Sequence, residues 1–113
     1  MTKVYLSIGL LALAASLGVY LLSFLLRGKE TPKGLAFLHG PLAAAGLVAL
    51  AFASYESGWR DYWGPIGVFA VVAIGGLIMI SIDLSGRRVP KWLGIVHGLA
   101  AASGFVWLLT QVF

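Results

Sequence analysis

The sequence predicts an all-α protein: four transmembrane helices in one bundle. Three observations predict it. Apolar residues make up 60% of the 113-residue chain and charged residues only 11%, where a soluble domain carries about 25% charged. The apolar residues fall into four stretches, at about 4–26, 34–54, 64–83 and 92–112, each near the roughly 20 residues that a membrane helix needs. None alternates with period two, so a backbone that must bond internally in lipid does so as helices and not as a barrel. Residues 1–113 then form a single transmembrane domain, with no length left for a separate soluble catalytic domain. The chain has no cysteine, which excludes disulfides, thiolate metal sites, cysteine-ligated iron–sulfur clusters and covalently attached c-type haem.

The first stretch has no charge in its interior. It is too long for a secretory signal, and its alanines are followed by more apolar residues rather than a cleavage site. Gly28 closes it at the position where a helix favours glycine. Pro32 opens the second stretch at the first turn, where no N–H is needed. Pro41 inside that stretch removes the N–H that would bond the Phe37 carbonyl, which predicts a kink. Residues 57–64 form the one loop with varied polar chemistry. Glu56, Arg60 and Asp61 with Trp59, Tyr62 and Trp63 read as an interfacial anchor, with a docking surface for a partner protein as the alternative. Pro65 opens the third stretch. Asp83 at its end is expected to snorkel or to pair with Arg87. Gly86 closes it, and Pro90 opens the fourth.

Basic residues are unequally shared. Arg27, Lys29, Lys33, Arg87, Arg88 and Lys91 lie at the two tight hairpins, against Lys3 and Arg60 at the other end. The positive-inside rule puts the hairpins in the cytoplasm and both termini on the periplasmic side of a bacterial inner membrane. The net charge of +4 follows from this orientation and does not call for nucleic acid. Tyr5, Tyr55, Trp59, Tyr62, Trp63 and Trp107 form an aromatic belt at the outer face, and Trp92 marks the inner one.

An offset of 58 aligns residues 3–55 with 61–113 without a gap. About a third of the pairs are identical, where this composition gives roughly a tenth by chance, and this marks an internal repeat. Pro32-Lys33 meets Pro90-Lys91, His39-Gly40 meets His97-Gly98, and Gly9, Ala12, Gly18, Ser23 and Gly46 meet Gly67, Ala70, Gly76, Ser81 and Gly104. Each copy holds two spans, so the copies are expected to be related by a pseudo-two-fold axis along the membrane normal. The product is an up-down bundle with the second and fourth helices diagonal. Gly9, Ala12, Gly67 and Ala70 are expected to let helices approach closely.

His39 and His97 are the only histidines. Each lies seven residues after its proline, about 10 Å along the helix and inside the hydrocarbon. An ionisable residue at that depth is a functional-site candidate. Residues three before and four and seven after a helical residue share its face. Around His39 these are Ala36, Ala43 and Gly46; around His97 they are Gly94, Ala101 and Gly104. Such small-residue stripes leave space for a flat group such as a porphyrin, with one imidazole on each side of the iron. Lys33, Lys91, Arg27, Arg87 and Arg88, about two turns away, are suited to haem propionates.

In the bundle, the paired His-Gly steps and the small stripes, the chain resembles four-helix membrane b-type cytochromes with bis-histidine haem. The resemblance implies non-covalent haem b, His39 and His97 as axial ligands, and electron transfer within or near the bilayer, often with quinone. Members of the class with four histidines hold two haems; the two here allow one.

Other readings remain open. Small residues are ordinary glue between membrane helices, and a histidine can bond a neighbouring carbonyl; a structural role, or another ligand or metal, is then the reading. Two histidines without acidic residues at their depth make a poor zinc site. The chain also has the size of small multidrug-resistance transporters, but its first helix lacks their embedded glutamate. An accessory subunit of a larger membrane complex, or a homo-oligomer, is compatible with everything above. A stand-alone enzyme is the weaker expectation: Glu30, Glu56, Asp61 and Asp83 all lie at or beyond span ends, which leaves hydrolysis without a site.

Overall fold

The structure is a computed structural model, and it describes residues 2–113. Four helices follow one another: α1 (Thr2–Leu26), α2 (Lys33–Glu56), α3 (Trp63–Leu84) and α4 (Lys91–Val112). Among the described residues there is no strand. All four helices are long and apolar enough to cross a membrane. Large apolar side chains such as Val19, Val71, Leu77 and Leu99 stand on the outside of the bundle, as a lipid-facing surface permits and an aqueous one does not. The molecule measures 43 × 22 × 21 Å, and its long axis matches the roughly 40–45 Å of a bilayer with its headgroups.

The backbones of α1 and α2 pack together, as do those of α3 and α4. The two hairpins join through α1 against α4 and α2 against α3. Neither α1 and α3 nor α2 and α4 come into backbone contact, so α2 and α4 occupy opposite corners.

The turn chemistry sets these bounds. Gly28 and Gly86 take left-handed conformations, with φ of 69° and 82°, which end α1 and α3 and cost a residue with a Cβ about 1–2 kcal/mol. Pro32 and Pro90 are the N-caps of α2 and α4, with extended backbones. They stand one residue earlier than the first-turn position expected of them, and Pro65 lies within the first turn of α3. At the other connection, Trp59 and Tyr62 adopt φ of 63° and 68° without being glycine. They are held there by Trp59 N–H to the Ser54 carbonyl at 2.8 Å, Ser54 Oγ–H to the Asp61 carbonyl at 2.6 Å, and Trp63 Nε1–H to the Trp59 carbonyl. The α-helix runs through Pro41 unbroken.

The close approaches differ from those expected. Gly9 and Gly67 are exposed, and a Cβ at either meets nothing within 4 Å. They face the surroundings rather than a neighbouring helix. The contacts fall instead at Gly46 against Leu11, Gly104 against Val68 and Phe69, Gly94 against Leu22 and Leu25, and Gly64 against the Trp107 indole. Ser7, fully buried, donates to the Gly46 carbonyl at 2.8 Å and fixes α1 on α2.

The core is one-sided. Val4, Leu11, Leu50, Phe69 and Leu108 form it, with Ile8, Leu47, Tyr62, Ile66 and Phe105 against them. These residues belong to the half of the bundle that carries the termini. In the half that carries the two hairpins, Gly94 is the one fully buried residue among those described.

Candidate functional site

His39 and His97 meet across the diagonal at the boundary between the packed half and the loose one. Their ring centroids are 6.4 Å apart, with an interplanar angle of 74°. The two helices that carry no histidine provide the room. A Cβ at Gly18 of α1 would stand 3.0 Å from His39 Cε1, and one at Gly76 of α3 would stand 3.3 Å from His97 Cε1. Gly75 lies beside His97 as well, 3.6 Å from Nδ1 by the same measure. These glycines permit the imidazoles to lie flush against backbone. Any side chain at Gly18 would push His39 aside.

The two rings differ in their bonding. His39 Nδ1 lies 2.7 Å from the Ala14 carbonyl of α1. A carbonyl only accepts, so Nδ1 carries a proton, and the neutral ring with this bond keeps its lone pair on Nε2. His97 Nδ1 is buried and has no hydrogen-bond partner. Val72 holds the place in α3 that Ala14 holds in α1, 58 residues earlier, and its carbonyl lies near His97 without making a bond of good geometry.

The glycines of the two stripes meet neighbouring helices. Gly46 and Gly104 abut the partner helix of their own hairpin, well inside the packed half, and Gly94 receives the leucines of α1. Ala36, Ala43 and Ala101 are half-buried. The stripes therefore serve helix packing at their glycines. The room that the imidazoles themselves occupy comes from Gly18, Gly75 and Gly76. Gly18 and Gly76 were visible in the sequence as a repeated pair, but nothing in a 58-residue offset reveals which way a helix is turned.

The basic residues near the hairpins divide into different roles. Lys33 pairs with Asp83 at 2.5 Å, and Thr31 Oγ–H reaches the same carboxylate oxygen at 3.4 Å. Arg88 donates to the Gly28 carbonyl at 3.0 Å. Arg27 stacks on Phe24, 4.8 Å from the ring centroid. Arg87 lines a shallow groove along α3 with Ile74, Leu77, Ile78, Ser81, Ile82 and Ser85. The expected alternative of an Asp83–Arg87 pair is thus replaced by a pair that crosses between hairpins. Among the described residues no three His, Asp or Glu side chains come together.

Comparison with known proteins returns no matching family model, no matching curated protein and no matching solved structure. Functional inference rests on the two histidines and their surroundings.

Proposed function

We propose that the chain is an integral membrane b-type haem protein, with His39 and His97 as axial ligands, that carries electrons within or near the bilayer. The observation that carries the reading is the histidine pair itself. Two imidazoles on one metal, each nitrogen about 2 Å from it, place their ring centroids about 6 Å apart, and the separation across α2 and α4 is 6.4 Å. Three features support the fit: the orphaned His97 Nδ1, the glycines on α1 and α3 that flank the rings, and a half-bundle with almost no fully buried side chain.

Haem b, when bound, supplies a one-electron carrier. The chain's residues supply its setting. His39 is held in one tautomer by Ala14, which presents Nε2. The packed half of the bundle excludes water from one side. Lys91, Arg87, Lys33, Arg27 and Arg88 lie at the depth suited to propionates. The tandem repeat, the cytoplasmic hairpins, the periplasmic termini and the bacterial inner membrane belong to the same proposal, carried by the 58-residue offset and the basic hairpins. Quinone or a redox protein is the partner class, and the chain acts alone, as a homo-oligomer or inside a larger complex.

The Ala14 bond and the leucines against Gly46 and Gly94 favour a second reading, an accessory subunit with structural histidines. A visible spectrum separates the two. Purified protein from haem-replete cells is expected to be red, with a Soret band that shifts and sharpens on dithionite reduction. Colourless protein that takes up no added hemin overturns the haem reading.

A further inference from the structure

We infer that the two histidines are unequal: His39 is the fixed ligand, and His97 is the exchangeable one, so that the site takes a small neutral ligand on its His97 side. The inference rests on the haem reading for its ligand, but its structural half stands without haem.

The difference lies in the second nitrogen of each ring. A metal-bound imidazole nearly always donates its other N–H to a carbonyl or carboxylate, which fixes the ring and raises its basicity. His39 has this partner at 2.7 Å in Ala14. His97 Nδ1 is buried without one. Holding His97 through Nε2 places its proton on Nδ1 as a poorly met donor, beside a Val72 carbonyl that makes no bond of good geometry with it, in the membrane interior, where such a group is costly. Nothing corresponding opposes His39.

Exchange then follows a simple balance. If haem is held as proposed, the exchange would release the His97 nitrogen and admit a neutral diatomic such as carbon monoxide in its place. Both are two-electron donors, so no electron or proton is transferred. The released imidazole stays on α4, against Gly75 and Gly76 of α3.

Gly75 offers the test. Its Cβ position lies 3.6 Å from His97 Nδ1 and meets nothing else within 4 Å. Gly75→Ser therefore places a hydroxyl acceptor within reach of Nδ1, and Gly75→Ala fills the same space without one. In hemin-loaded, dithionite-reduced protein, wild type is expected to bind carbon monoxide, and Gly75→Ser is expected to bind it about tenfold more weakly than Gly75→Ala, which adds bulk at the same place without an acceptor. His97→Ala is expected to keep hemin as a five-coordinate high-spin species, and His39→Ala to lose most of it. In the hemin-free protein, 15N spectra of the histidine side chains are expected to show one tautomer at His39 and averaging at His97. Equal tautomer signatures for the two rings overturn the inequality, whatever hemin does. Equal hemin loss in the two histidine variants, or equal carbon monoxide affinity in Gly75→Ser and Gly75→Ala, overturns the exchange. Wild-type protein that takes up no hemin overturns the haem reading and the exchange with it, and leaves the tautomer result to decide the inequality.

Discussion

Lys33, the first residue of α2, is tied to Asp83 in the last turn of α3 by an ion pair of 2.5 Å. The bond joins the two hairpins where the bundle has almost no core. Asp83 keeps 21% of its side-chain exposure and Lys33 45%, so solvent screens the pair and its contribution is modest. Asp83→Asn and Lys33→Gln are each expected to lower stability in detergent slightly. A double-mutant cycle is expected to return a coupling of about 0.5 kcal/mol that shrinks in high salt. Zero coupling at low salt would show the pair to be incidental.

Glycines separate packing from exposure. Gly46→Ala forces a Cβ to within 2.8 Å of Leu11 Cγ and 3.3 Å of its backbone nitrogen, and is expected to destabilise by about 1–3 kcal/mol. Gly9→Ala and Gly67→Ala meet nothing and are expected to be neutral or slightly stabilising, as alanine is the better helix former. Unfolding midpoints in one detergent provide the comparison, and a Gly9→Ala loss as large as that of Gly46→Ala would contradict the observed rotation of α1.

Ser7→Ala removes the bond to the Gly46 carbonyl from a fully buried site. Hydrogen bonds between membrane helices average about 0.6 kcal/mol by double-mutant cycles. The loss in a detergent unfolding assay is expected to be of that order, well below that of Gly46→Ala at the same contact.

Tyr62 lies outside the spans, and burial, then the charge of Asp61, raises its phenol above the usual 10.0. A raised phenol favours the neutral form in the folded protein. Its contribution is therefore complete below pH 10 and is lost as the pH climbs through the higher folded value. Alkaline titration of tyrosine absorbance is expected to show one late-ionising group that disappears in Tyr62→Phe. An unchanged titration in that variant would refute it.

Bulk beside the histidines provides a further check on the proposed site. Gly18→Leu is expected to displace His39, because even a Cβ stands 3.0 Å from its ring, and to abolish hemin uptake. Ala43→Leu and Ala101→Leu are expected to reduce it. Hemin titration monitored at the Soret band measures all three, and full uptake by Gly18→Leu would place the cofactor elsewhere.

The spans were legible because apolar length and glycine–proline punctuation are local signals. The expected 4–26, 34–54, 64–83 and 92–112 become Thr2–Leu26, Lys33–Glu56, Trp63–Leu84 and Lys91–Val112. The diagonal placement of α2 and α4 is the one expected from two consecutive two-helix units. Helix rotation was not legible. Hydrophobicity runs all round a membrane helix, so nothing in the sequence distinguishes the outward Gly9 from the inward Gly46. For Asp83 the sequence offers only snorkelling or Arg87, because its partner Lys33 is brought near only by the docking of two hairpins. Ala14 gave no signal, since any backbone carbonyl can accept and only the fold selects one.

The one-sided core carries a consequence for assembly in the membrane. A bundle gripped at its terminal end, and held at its hairpin end by polar ties and the α1 leucines on Gly94, behaves like a clothes-peg: one end is the spring and the other the jaws. If haem is bound as proposed, such a chain would complete its insertion first and take up the cofactor from the hairpin side. Tightening that end with added leucines would make a stiffer bundle and a slower one to load.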